Sequence, residues 1–258
     1  MTLSSATRFR RGAAGAVILA AIATAGLGLP RATAQGAAPD YAALMAAPDR
    51  SDADHQADKR RDPVPFLAFA GLRPGMKVLD MGAGAGYSTE LDARVVGPSG
   101  TVYAQNPPDL GDRPKAALMA RLATPAMKNT MSVLRPFDDP MPADVHDLDA
   151  VTFLFFYHDT TYMEVDRAQM DRKLFAALKP GGVLVIADHS AKAGADVTVG
   201  KSLHRIDEAI VRREVEAAGF KQIAQGDFWR QPGDPRDFTT LKPTGPVDAF
   251  VLKFQKPM

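Results

Sequence analysis

The sequence predicts an α/β protein built on a doubly wound, mostly parallel sheet, and three observations carry that reading. From Met76 onward, short apolar runs alternate with stretches of helical periodicity. The runs lack the polar alternation of a sheet with one wet face, so helices should cover both faces. A glycine-rich turn, "DMGAGAG" (80–86), follows the first run directly and leads into a helix.

The elements follow in order. "MKVLDMG" reads as a buried strand, "YSTELDARVVG" as a helix, "GTVYAQN" as a second strand, "RPKAALMARLA" as a helix and "MSVLRPF" as a third strand. Ala150 to Phe156 is the fourth and most apolar strand. "DRAQMDRKLFAALKPGG" is a helix whose Met170, Leu174, Phe175 and Leu178 share a face and which Pro-Gly-Gly ends. "VLVIADHS" is a fifth strand, and "KSLHRIDEAIVRREVEAAGF" a single long helix stopped by Gly219. "FKQIAQGDFWRQ" and "VDAFVLKFQ" close the chain as an antiparallel pair.

The N-terminus differs in character. Residues 1–34 hold four arginines and no acid or lysine. Arg8, Arg10 and Arg11 precede the apolar stretch Gly12 to Leu29, and "ATA" ends at Ala34. This is the pattern of a secretory signal cleaved before Gln35, with an uncleaved membrane anchor as the alternative. A periplasmic or secreted protein is expected, touching the membrane only through this segment. No later run is long and apolar enough to span a bilayer. Without the four arginines, 27 basic residues face 30 acidic ones, so bulk charge points to no nucleic-acid partner. There is no cysteine, which excludes disulfides, thiolate chemistry and a cysteine metal site. Residues 35–70 read as a linker and helical lid, with Arg50, Asp54, Asp58 and Arg61 on a solvated face.

Ligands of such sheets bind beyond the carboxyl ends of the strands, where strand order reverses. Gly82, Gly84 and Gly86 let the backbone take positive φ and let a ligand approach it. Their G-x-G-x-G spacing is one residue short of the dinucleotide fingerprint. Asp80, two residues before the first glycine, would repel a pyrophosphate but suit a ligand carrying an ammonium and a sulfonium.

"KVLDMGAGAGYSTE" resembles the first motif of class I S-adenosylmethionine-dependent methyltransferases, and Lys77 to Lys256 is similar to their Rossmann-like seven-stranded order with an antiparallel last pair. "VVGPSGTVYAQNPP", "FFYHDT", "FAALKPGGVLVIADHSAKAG" and "LHRIDEAIVRREVEAAGF" further resemble a group of predicted exported bacterial methyltransferases. The resemblance implies a methyltransferase domain over 71–258 with S-adenosyl-L-methionine as cofactor. It implies that the three glycines line the methionine moiety and that Asp80 helps hold its amino group. Gln105 and Asn106 stand where an acidic residue usually holds the ribose, and Phe137 with Asp138 (or Asp139) where adenine is stacked and its amino group accepted.

A polar cluster is expected over the same pocket. "YHDT" (Tyr157 to Thr160) follows the most apolar strand and "DHS" (188–190) ends the next, with His204 opening the long helix. His158 with Asp159, or His189 with Asp188, would serve as base for methyl transfer to oxygen or nitrogen, beside Tyr157. Arg205 is expected to pair with Glu208. The alternative uses of the cluster are a metal site made by His158, His189, His204 and a carboxylate, or a hydrogen-bonded structural role; no specific metal site is assigned. The function expected is methyl transfer to a small-molecule acceptor. A cofactor-binding protein without transfer activity and a metal-assisted hydrolase are the alternatives.

Overall fold

The computed structural model describes Met1, Thr2 and residues 39–258, so the rest of the expected signal segment and the first part of the linker lie outside the described residues. Residues 39–258 lie within one compact unit. Among the described residues, no helix is long and apolar enough to cross a membrane.

Seven strands form one sheet: β1 (Lys77–Met81), β2 (Thr101–Asn106), β3 (Thr130–Leu134), β4 (Leu148–Leu154), β5 (Leu178–His189), β6 (Lys221–Gly226) and β7 (Ala249–Gln255). Their order is β3-β2-β1-β4-β5-β7-β6. All neighbours from β3 to β5 pair in parallel, and β7 runs antiparallel to both β5 and β6. The order reverses between β1 and β4, which places the switch point above their carboxyl ends.

Alternate residues of the central strands feed two cores, as the two-residue period of a strand requires. Leu79, Met81, Val151 and Phe153 face one core, closed by α6 (Arg167–Ala177) and α8 (Glu208–Ala217). Val78 and Ala150 face the other, closed by α3 (Pro63–Ala70) and α4 (Tyr87–Val96). The same alternation puts Asp80 and its register partner Thr152 on the α4 side. Two polar groups are thereby carried into the second core.

Two expectations are corrected. The first concerns the N-terminal charges. After α1 (Tyr41–Met45), α2 (Asp52–Arg61) opens with a capping box in which Ser51 and Asp54 bond reciprocally. Arg61 is exposed as expected, but Arg50, Asp54 and Asp58 do not lie on a solvated face. Arg50 is 6% exposed and chelates Asp58, whose carboxylate also accepts from the Tyr87 hydroxyl. Asp54 pairs with Arg121 of α5 (Asp112–Leu122), which also pairs with Glu90 and donates to the Ala85 carbonyl. Burial alone would raise the Asp54 carboxyl, but the Arg121 and Ser51 bonds bring it down to about 2. These pairs tie α2 to the glycine-loop helix and to α5.

The second correction concerns the expected single helix after Lys201. It is broken into α7 (Val199–Leu203) and α8, because His204 adopts a left-handed φ of 52° and Ile206 bridges Ser190 beside the sheet. Arg205, wholly buried, pairs with Asp234 at 2.7 Å and donates to the Ser190 and Phe238 carbonyls, not to Glu208. Glu208 pairs instead with Arg212 and Arg230.

Candidate active site

The glycine loop leaves β1 and enters α4 with Gly82, Gly84 and Gly86 at φ of 64°, 55° and 83°. The three glycines serve different ends. A Cβ at Gly86 would stand 2.7 Å from Leu118 Cδ1, so this glycine admits α5. One at Gly82 would meet the Phe156 ring at 3.2 Å. At Gly84 a Cβ would find only the Gly82 carbonyl, 3.9 Å away, so this is the open face of the loop.

Gln105 and Asn106 brace the loop from beneath. Gln105 Oε1 accepts from Gly82 N at 3.0 Å while its Nε2 donates to the Arg135 carbonyl at 2.7 Å. Asn106 Oδ1 accepts from Gly84 N at 2.8 Å. Both side chains are buried, so their amides hold backbone and do not face a cleft. Phe137 is also buried, stacked on Phe156 at 5.0 Å and on Phe153 at 6.2 Å, and Asp138 offers its carbonyl to Gln169.

Asp80 is 1% exposed and accepts from Ser88, Thr89 and Thr152. Thr152 shares its one hydroxyl proton with Asp92 of α4, at 3.0 Å against 3.4 Å to Asp80; Asp92 is equally buried and its Oδ1 has no hydrogen-bond partner. Burial pushes Asp80 up to about 6, against the three hydroxyl bonds. Burial and the neighbouring Asp80 raise Asp92 well above the usual carboxylate range. Asp92 lines a narrow recess of about 20 Å³ between α3, α4 and the end of β4, walled by Phe66, Phe155 and Trp229, with Arg61 also lining it. Phe155 takes a left-handed φ of 56°, an unusual conformation for an aromatic residue; it stacks on His189 (4.7 Å) and lies tilted against Trp229 (5.3 Å).

The histidines gather as expected, with different partners. His158 sits in the 3₁₀ turn Tyr157–Thr161, its Nδ1 2.7 Å from Asp188 Oδ1 and its backbone N–H on the other oxygen of that carboxylate. Its Nε2 lies 3.3 Å from both His204 Nδ1 and Asp159 Oδ1. Burial works against protonation of His158, but Asp188 and Asp159 prevail and lift it to about 10. His189 is the reverse case. Burial depresses it to about 4, and its Nδ1 is enclosed without a partner. The two rings are 6.3 Å apart.

Tyr157 does not join this cluster. Successive residues of a 3₁₀ turn point about 120° apart, and the Tyr157 hydroxyl goes to Asp171 and Glu214 in the opposite core. Reading of the sequence missed Asp92. An acidic residue five positions into the helix after the loop was the available signal.

Known proteins resemble this chain in sequence and in fold. Residues 63–121 match the family model for protein-L-isoaspartate(D-aspartate) O-methyltransferase. Over 124 residues, 48% of the chain, it is 28% identical to the ubiquinone/menaquinone biosynthesis C-methyltransferase UbiE of Ectopseudomonas mendocina (strain ymp), covering 46% of that enzyme. The chain spans about half the length of the curated relatives it matches. A S-adenosylmethionine-dependent methyltransferase from Aquifex aeolicus superposes with a TM-score of 0.54 at 21% identity, over 80% of this chain and 98% of that one. A Galdieria sulphuraria protein provisionally assigned as a sarcosine dimethylglycine methyltransferase superposes with a TM-score of 0.58 at 17% identity, over 79% and 88%. At these identities the structural likeness is one of fold.

Proposed function

We propose that this chain is a class I S-adenosylmethionine-dependent methyltransferase that transfers a methyl group to a small-molecule acceptor at the β1–β4 switch point. The observation that carries the reading is the acidic floor beneath the glycine loop, where the Asp92 oxygen lacks a partner beside Asp80.

Two carboxylates buried this closely resist ionising together. A ligand bearing an ammonium and a sulfonium relieves that opposition, and the rings of Phe66, Phe155 and Trp229 suit a soft cation. The residues therefore fit S-adenosylmethionine, the cofactor of the superfamily. When bound, it supplies a methyl group activated on sulfonium sulfur.

The chain's own contributions divide among named groups. Gly84 leaves its face of the loop open to the cofactor. The first-turn N–H groups of α4 have no preceding helical carbonyls and are placed for a carboxylate. Asp80 and Asp92 receive the cationic end. Gln105 and Asn106 keep the loop in shape. His189, kept neutral by burial, is the candidate base for the acceptor's proton, and Phe155 fixes its ring by stacking. The names of the similar proteins, which specify ubiquinone/menaquinone biosynthesis and sarcosine and dimethylglycine, support a small acceptor. We also propose that the protein acts outside the cytoplasm after cleavage near Ala34, on the strength of the basic, apolar and small-residue pattern of residues 1–34.

Calorimetry with S-adenosylmethionine and S-adenosylhomocysteine tests the proposal. Binding of both is expected. No heat with either at millimolar concentration would sink it.

A further inference from the structure

We propose that His158, Asp159 and His204 form a binding site for one divalent transition-metal ion of the zinc type. The argument rests on geometry. Nε2 of His158, Nδ1 of His204 and Oδ1 of Asp159 lie at the corners of a nearly equilateral triangle with sides of 3.3, 3.3 and 3.4 Å. Zinc bonds to imidazole nitrogen and carboxylate oxygen run about 2.0–2.1 Å, so two ligands at the tetrahedral angle stand about 3.3–3.4 Å apart. An octahedral ion with bonds of about 2.1 Å would need adjacent ligands near 3.0 Å. The triangle is therefore one face of a tetrahedron of zinc size, and its fourth vertex is left to a water or to an oxygen of the acceptor.

The groups behind the donors are those a metal site needs. Asp188 takes the Nδ1 proton of His158 at 2.7 Å, which leaves Nε2 as the ring nitrogen that gives up its proton to an entering ion. A carboxylate behind a ligating histidine orients the ring and makes it a better donor. Tyr162 donates to Asp159 in the same supporting role. His204 is held at a left-handed φ of 52°, a conformation that persists where surrounding structure imposes it. Gly200 allows α7 to lie against the Tyr157–Thr161 turn: a Cβ there would stand 2.3 Å from Thr161 Oγ1. The two halves of the site are thus clamped before any ion enters.

The proposal does not depend on cofactor binding, so its failure is distinguishable from failure of the methyltransferase reading. Chelator-treated full-length protein would be titrated with Zn²⁺ in the absence of S-adenosylmethionine, and with Co²⁺ to read coordination from visible absorption. One ion per chain is expected, with the intense bands of tetrahedral cobalt. Asp159→Asn and His204→Asn, the latter chosen because asparagine tolerates the left-handed backbone, should each weaken Zn²⁺ about 100-fold, and Asp188→Asn about 10-fold or more. His146→Ala, on an exposed loop, should change nothing. Circular dichroism of each apo variant separates lost ligands from lost fold. Absence of Zn²⁺ binding below millimolar, or binding undiminished in folded Asp159→Asn and His204→Asn, would overturn the assignment.

Discussion

Asp92 keeps a nearly inaccessible carboxylate with one unpartnered oxygen beside a second carboxylate, at a cost to folding that the proposed cationic cofactor would offset. Replacing it with Asn removes the charge at constant shape. Asp92→Asn is expected to raise the apo melting temperature by a few degrees and to weaken S-adenosylmethionine at least tenfold, measured by calorimetry. The pH dependence has a definite sign. Asp80 titrates near 3.8 when unfolded and about 6 when folded, so the folded state holds the extra proton between these values and its contribution to stability falls as pH rises through that window. Cofactor affinity, which needs the ionised form, should rise over the same window. His158 behaves oppositely in direction of charge. Its folded value of about 10 against 6.5 gives stability fully present below 6.5 and lost as pH rises through 10. Thermal melts of chelator-treated protein should therefore drop more between pH 7 and 10 in the wild type than in His158→Gln. None of these environments is written beside the residue in sequence. Asp92 looks like any helix acid until β4 brings Thr152 against it.

The glycine loop was legible as an element because its spacing, its preceding strand and its following helix are contiguous. What each glycine does was not legible, since Leu118 and Phe156 come from elsewhere in the chain. Two alanine substitutions separate the roles. Gly86→Ala meets Leu118 and should cost about 2–4 kcal/mol in urea unfolding, whereas Gly84→Ala carries only the backbone penalty of about 1 kcal/mol and should chiefly impair cofactor binding. The α7–α8 break was misread because the apolar period of 201–220 runs on through His204, and nothing in that stretch announces Asp234. Arg205→Met leaves the Asp234 carboxylate buried and unpaired, and should destabilise by about 3–5 kcal/mol, read from the same unfolding curves. The charges around α2 were misjudged for the same reason. Asp54 and Asp58 look solvated until Arg121 and Tyr87, well downstream, fold over them.

In the molecule as a whole, the buried carboxylates Asp80 and Asp92 lie where the sheet changes direction, and the histidines lie beyond the ends of β4 and β5. Export is testable at this level too. A reporter active only outside the cytoplasm, fused after Met258, should be active with residues 1–34 present and inactive without them, and mass analysis should find Gln35 at the mature N-terminus. By itself the sequence determined the strand and helix order, the antiparallel closing pair, the glycine loop and the convergence of three histidines. Those follow from local periodicity, turn residues and the topological rules of parallel sheets. The tertiary structure alone decided which carboxylates are buried together, which histidine is neutral, that Tyr157 turns away and that Asp159 completes a triangle with His158 and His204. These depend on register between strands distant in sequence, and on desolvation, which only the packed molecule imposes.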